Sequence, residues 1–342
     1  MSLRLLGSTG IQVSPLCLGT MNFGNSRWGC DEDSSRSILH RFAELGGNFI
    51  DTANTYAGGR SEEIVGKWLV GKRDQMIIAT KGFFPMGQGP NAMGNSRRNL
   101  RRQIEDSLRR LNVECVDLYQ IHMWDPITPI DETLAVLSDF VHEGKSHYVG
   151  ACNLTGWQLA AFMERAEANG FERFVSIQPQ YNLVCRDIER EVMPCADHYD
   201  LGILAWSPLA FGLLSGKYSG GSKVQLDARM AAPDADDIMH AWKQRTFTER
   251  NLKIAEGVAA VAAELRCSPV ALAVRWVLEQ PAVTAAIIGP RSAAQLQENW
   301  AALALELDPE SFERLERLSE PEPDYLEYMQ GRVAERRLAD LE

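Results

Sequence analysis

The sequence contains no unbroken apolar run of the roughly 18 residues that a membrane-crossing helix requires. Its first residues, MSLRLLGSTG, lack the apolar stretch and small-residue cleavage site of a secretory signal, so a cytoplasmic protein with no membrane partner is expected. Positive charge is scarce: 35 Lys and Arg stand against 46 Asp and Glu, a formal net charge of −11. Most of such a surface repels a polyanion, which argues against nucleic acid as a partner. The seven cysteines, at 17, 30, 115, 152, 185, 195 and 267, never form a CxxC pair. That scatter fits idle thiols in a reducing compartment rather than a disulfide framework or structural zinc. His142 and His147 superficially suggest a zinc-protease helix. Five residues apart, they would point about 140° away from each other, so no metal is expected.

What is present is ordinary globular material, 342 residues with 45% hydrophobic and 24% charged side chains. Short apolar runs recur at Leu16 to Gly19, Asn48 to Thr52, Met76 to Lys81, Val116 to His122, His147 to Cys152, Phe174 to Gln178, Gly202 to Ser207 and Ala285 to Gly289. Amphipathic stretches separate them. Ser96 precedes the stripe Leu100, Ile104, Leu108, Leu111 as a helix cap, and Thr155 and Ser268-Pro269 open two others. Asp131 opens a helix that Gly144 closes. Eight strand-then-helix units, with strands apolar enough for burial on both faces, predict an α/β fold: a closed parallel (β/α)8 barrel of the TIM type, as a single domain over 1–342. Residues 1–15 read as an N-terminal β-hairpin, 219–247 as an irregular loop and 321–342 as a weakly patterned C-terminal tail.

Such barrels carry their chemistry at the C-terminal strand ends. The polar residues there are Asp51, Lys81, His122, Asn153, Gln178 and Trp206-Ser207. Each taken alone also fits a solvated strand end, a helix cap or an ion pair.

The run Phe49-Ile50-Asp51-Thr52-Ala53-Asn54-Thr55-Tyr56, followed by Gly59-Arg60-Ser61-Glu62-Glu63 and Gly66, resembles the signature of the aldo-keto reductase superfamily. Asp117 to His122, Lys81 at the end of the third strand, and Trp206-Ser207-Pro208-Leu209 with Gly212 to Lys217 are similar to its other blocks. The likeness extends from about residue 3 to 320. It implies reduction of an aldehyde or ketone, such as a keto-sugar or natural-product carbonyl, by NADPH bound without a Rossmann domain. By resemblance the catalytic set is Asp51, Tyr56, Lys81 and His122. Tyr56 would protonate the nascent alkoxide, Lys81 would lower the phenol pKa, Asp51 would orient the lysine and His122 would hydrogen-bond the carbonyl.

The resemblance likewise assigns Asn153 and Gln178 to the nicotinamide carboxamide and Trp206 to stacking on the ring. Ser207, Pro208, Leu209, Gly212, Ser215, Gly216 and Lys217 would cradle the pyrophosphate, with Gly19, Thr20 and Met21 also at the cofactor. Gly289, Arg291, Gln295, Glu298 and Asn299 would hold the adenosine half, with Arg291 on the 2′-phosphate. Ser292 and Gln295 also have the spacing of a helix capping box. Substrate contacts are expected from Met21, Phe23, Trp28, Phe84, Trp124 and Asn182 beside Tyr56 and His122. The likeness to potassium-channel β subunits keeps open an NADPH-binding redox-sensing subunit, and Lys81 as a Schiff-base former keeps open a lyase. A homo-oligomer is compatible with the sequence.

Overall fold

The computed structural model describes residues 2–217 and 244–339, so most of the expected loop at 219–247 lies outside the described residues. Strands β1 (Arg4–Leu5) and β2 (Gln12–Val13) form an antiparallel hairpin. Then come β3 (Leu16–Gly19), β4 (Phe49–Asp51), β5 (Ile77–Gly82), β6 (Val116–Ile121), β7 (Ser146–Cys152), β8 (Phe174–Gln178), β9 (Gly202–Trp206) and β10 (Val283–Ile288). These eight close into a parallel barrel in chain order, β10 pairing with both β9 and β3. All eight predicted strands are present, with ends that differ by at most two residues.

The outer layer consists of α1 (Glu32–Glu44), α2 (Arg60–Leu69), α3 (Arg97–Leu111), α4 (Ile130–His142), α5 (Gly156–Asn169), α6 (Val192–His198), α7 (Glu249–Glu264), α8 (Pro269–Glu279), α9 (Ala293–Trp300) and α10 (Pro309–Ser319). Their boundaries have local causes. Ser96 accepts a hydrogen bond from the Asn99 amide and starts α3, whose Leu100, Ile104, Leu108 and Leu111 are buried. Gln158 reaches back to the Thr155 amide at 3.0 Å, and Ser268 caps α8 with Pro269 behind it. Helix α4 begins one residue before the expected Asp131, because Pro129 accepts the first amide bonds. Asp131 and Glu132 then lie in the first turn, where the helix dipole favours them. The segment expected as a weakly patterned tail is instead a helix, α11 (Tyr325–Ala339), tied to the body by Arg190 and Glu327 at 3.2 Å.

Two cores divide the molecule. A large one fills the space between strands and helices, and a smaller one inside the barrel joins Cys17, Phe49, Ala79, Leu118, Leu204 and Ala285 to Leu6 and Val13 of the hairpin. The hairpin therefore plugs one end of the barrel. Its turn is tight: Gly7 has φ +56°, and a Cβ there would lie 2.3 Å from the Val175 carbonyl oxygen. With that end sealed, the C-terminal strand ends form the open mouth.

Candidate active site

Asp51 ends β4 and Lys81 is the penultimate residue of the adjacent β5, so the register brings an acid and an amine together inside the barrel. Both are buried, at 2% and 0% exposure. Lys81 Nζ pairs with Asp51 Oδ1, donates to the Thr52 carbonyl at 2.9 Å and lies 3.1 Å from the Tyr56 hydroxyl. Burying an ion pair costs desolvation that is recovered only when every hydrogen-bonding site is used. Asp51 Oδ2 meets that condition by accepting from Gln178 Nε2 at 2.9 Å and Gln120 Nε2 at 3.2 Å.

Tyr56 comes from a turn rather than a strand. Ala57, Gly58 and Gly59 all have left-handed φ, which folds the chain back from β4 into α2. The start of α2 is then fastened: Ser61 donates to the Thr20 carbonyl at 2.8 Å. Buried Glu62 accepts from Thr80 at 2.6 Å and from Arg110 at 2.7 Å. Because Thr80 precedes Lys81, Glu62 ties the tyrosine-bearing turn to the lysine-bearing strand. His122 follows β6, its amide bonded to Gly82 O at 2.9 Å, and its ring lies edge-on to Tyr56 at 6.0 Å and to Phe84 at 4.9 Å. All four residues of the expected catalytic set thus meet at one place.

Burial opposes charge on Lys81, but Asp51 and Tyr56 outweigh it and raise the ammonium above its ordinary value. An amine so firmly protonated is a poor Schiff-base nucleophile, which argues against the lyase reading. Tyr56 corrects the sequence expectation. Burial dominates and lifts the phenol above its usual 10, with Lys81 pulling it back only in part. His122 is driven well below its ordinary 6.5, first by burial and then by Lys81, so it is a neutral imidazole whose buried Nδ1 has no hydrogen-bond partner among the described residues.

On the far side of the mouth, Trp206 Nε1 donates to Asn153 Oδ1 at 3.0 Å and Asn153 Nδ2 to the His122 carbonyl at 3.1 Å. The chain after β9 turns through left-handed Ser207, Ala210, Phe211, Gly212 and Gly216, with Ser215 Oγ donating to Gly212 O at 2.6 Å and Lys217 exposed. Pro208 is buried and Leu209 partly so. At α9, Ser292 caps the Gln295 amide at 3.2 Å. The Gln295 side chain passes over Ser292 to the Arg291 amide at 2.8 Å, one residue back from the capping-box geometry. Asn299 Nδ2 bonds Gln295 O at 2.6 Å, and Glu298 is exposed. Arg291 reaches the Trp28 carbonyl at 3.5 Å, and Asn22 bonds the Gly289 carbonyl at 2.6 Å, joining the loop after β3 to the loop after β10.

Several expected contacts are turned inward. Thr20 is fully buried with its hydroxyl on Asp51 O at 3.1 Å. Gly19 packs on β10, where a Cβ would meet Ile287 at 2.7 Å. Phe23 is core, wholly buried beside Cys30 and Ile64, because the loop folds back through the Phe23–Cys30 bridge. Asn182 is also removed from the substrate face: its amide donates to Ser207 O at 2.9 Å and its oxygen accepts from Val184 at 3.0 Å, so it shapes the turn below Trp206. Trp124 packs edge-on against Trp157 and Phe162 of α5. Met21, Trp28 and Phe84 remain partly exposed. Residues missed from sequence are Gln120, Glu62 and Asn22. Gln120 alone carries a visible signal, a lone amide inside a wholly buried strand.

The aldo/keto reductase family model matches residues 15–320 of the chain. An uncharacterized oxidoreductase of Bacillus subtilis is 37% identical, covering 91% of this chain and 93% of that protein. Norsolorinic acid reductase of Aspergillus flavus is 32% identical over 91% of this chain and 79% of its own length. A probable voltage-gated potassium channel subunit beta of Oryza sativa is 32% identical over 94% and 98%.

Proposed function

The chain belongs to the aldo/keto reductase family, and from that membership we propose that it reduces the carbonyl of an aldehyde or ketone with NADPH, Tyr56 donating the proton. The observation that carries this reading is the 3.1 Å approach of Lys81 Nζ to the Tyr56 hydroxyl while Asp51 holds the same amine.

The donor set fits a nicotinamide nucleotide. Gln178 offers an Oε1 without a hydrogen bond among the described residues, the turn from Ser207 to Gly216 leaves Ser207, Gly212, Ser215 and Gly216 partly exposed, and Arg291 adds a cation near the N-terminus of α9. Asn153, Gln178 and Trp206 would hold the nicotinamide, Ser215, Gly216 and Lys217 the pyrophosphate, and Arg291 the 2′-phosphate. When bound, NADPH supplies the hydride.

The protein's own residues manage the proton. Neutral His122 donates a hydrogen bond to the substrate oxygen and orients it toward Tyr56. The Tyr56 hydroxyl gives up its proton as charge develops on that oxygen, and the Lys81 ammonium beside it stabilises the phenolate left behind. Asp51 keeps Lys81 in place and balances its charge. Phe84 closes the side of His122 and excludes water there.

A second reading, a slowly turning-over redox-sensing subunit, draws support from the likeness to the potassium channel subunit beta. One experiment separates them: NADPH consumption at 340 nm across a panel of aldehydes and ketones. Multiple turnovers abolished by Tyr56→Phe support the reductase. Tight NADPH binding with at most one slow turnover for every carbonyl supports the sensor and sinks the first reading.

A further inference from the structure

Gln120 is fully buried and faces the barrel interior on β6, in register with Lys81 of β5 and Gly150 of β7. Its Nε2 donates to Asp51 Oδ2 at 3.2 Å, and its Oε1 accepts from Gln178 Nε2 at 3.3 Å and from the Cys152 thiol at 3.7 Å. Gln178 Nε2 also donates to Asp51 Oδ2, at 2.9 Å.

These bonds form a directional chain. An ionised carboxylate only accepts, so both glutamines must turn their NH2 groups toward Asp51. Gln120 then has only its carbonyl oxygen left to face Gln178, and that oxygen takes the second hydrogen of Gln178 Nε2. Both Gln178 hydrogens are now used inside the protein, and only its Oε1 is left for a ligand. The amide polarity, normally ambiguous between O and N, is decided here by the charge on Asp51.

We propose that Gln120 is a positioning residue that adds a second hydrogen bond to the Gln178 amide already oriented by Asp51 and thereby locks it with Oε1 outward, so that the site accepts a hydrogen bond from the carboxamide N–H of the nicotinamide. This rests on the reading of the barrel as a nicotinamide nucleotide site. The other ionisable groups around Gln120 are Lys81 on β5, Cys152 on β7, Cys17 on β3 beside Asp51, the Tyr56 hydroxyl and His122. The two thiols are pushed up by burial and the imidazole is pushed down, so none of these three groups adds charge near the amide at neutral pH.

The test uses two nucleotides that differ at the group in question: NADP+ and its 3-acetylpyridine analogue, in which a methyl replaces the carboxamide NH2. Dissociation constants are measured by titration calorimetry on the full-length protein, with thermal melting to verify folding. Gln120→Met removes the lock, and the expected result is NADP+ bound about 5- to 10-fold more weakly with the analogue changed less than about 2-fold. Gln120→Glu provides an independent variant. Its neutral acid donates to Asp51 and accepts from Gln178 as the amide does, whereas its carboxylate repels Asp51. It should keep the preference for NADP+ near pH 6 and lose it near pH 9, relative to the unaltered protein at each pH. Equal weakening of both nucleotides by Gln120→Met, or a preference in Gln120→Glu that does not change with pH, overturns the lock alone. Failure of the unaltered protein to bind either nucleotide overturns the cofactor reading as well.

Discussion

Trp206 and Asn153 are joined by a 3.0 Å hydrogen bond from the indole N–H to the amide oxygen, and Asn153 passes the link on to the His122 carbonyl at 3.1 Å. The residues assigned to the nicotinamide therefore hold each other. Asn153 sits at φ +55°, a left-handed conformation that asparagine tolerates better than most residues, and this turns its side chain back across the barrel mouth. Side chains that hold one another in this way have less freedom left to lose when a ligand binds against them.

Trp206→Phe keeps an aromatic face but removes that bond. The loss of one neutral hydrogen bond, about 1 kcal/mol, should weaken NADPH binding about fivefold. Titration calorimetry measures it. An unchanged dissociation constant would show that the indole N–H does not order the site.

Tyr56→Phe removes the hydroxyl 3.1 Å from Lys81 and little else. General acid catalysis is typically worth about 100- to 10,000-fold, so kcat for carbonyl reduction should fall within that range. NADPH affinity should change less than about twofold, since the hydroxyl's bonding partner is Lys81. Full activity in the variant would remove Tyr56 from its role.

How much of this was legible in the sequence differs from one feature to another. The barrel could be read because its strands are buried on both faces and so appear as apolar runs, and the caps at Ser96, Thr155 and Ser268 marked the helices between them. The meeting of Asp51, Tyr56, Lys81 and His122 was legible through their strand-end positions and the family signature. The direction of the Tyr56 shift was not, because a neighbouring cation can be inferred from a motif whereas the extent of burial depends on the assembled walls. Phe23 and Asn182 were misread for the same reason: each follows a barrel strand, but local bonds turn their side chains inward. The helix at 325–339 has no strong apolar stripe to announce it, and several of its large side chains, Tyr325, Leu326 and Tyr328 among them, are exposed.

Arg291→Ala should separate the two nicotinamide nucleotides. A charge-assisted hydrogen bond is worth about 1.5–3 kcal/mol, so NADPH should bind roughly 10- to 100-fold more weakly. NADH lacks the 2′-phosphate and should change less than about threefold. The Gln295 bond to the Arg291 backbone amide survives the substitution, so the turn before α9 is retained. Equal losses for the two nucleotides would place the guanidinium elsewhere in the complex.

His122 gives the protein a pH dependence of stability whose sign follows from its environment. Burial first, then the Lys81 ammonium, hold the imidazole well below its ordinary 6.5 in the folded protein. As pH falls below about 6.5, the unfolded chain takes up a proton at this position while the folded protein does not. The unfolded state then binds more protons, so stability rises with pH in this window and is lost on acidification, by up to about 1.4 kcal/mol per pH unit. The loss ends only when pH reaches the depressed folded value. His122→Asn removes the titrating group but leaves the carboxylates that contribute to acid denaturation in both proteins. Urea unfolding of the two at pH 7, 6 and 5 should therefore show the stability of the unaltered protein falling relative to the variant, by about 1 kcal/mol or more between pH 6 and 5. A difference independent of pH would mean that His122 titrates normally, and the neutral hydrogen-bond donor assigned to the substrate oxygen would then be an imidazolium in acid.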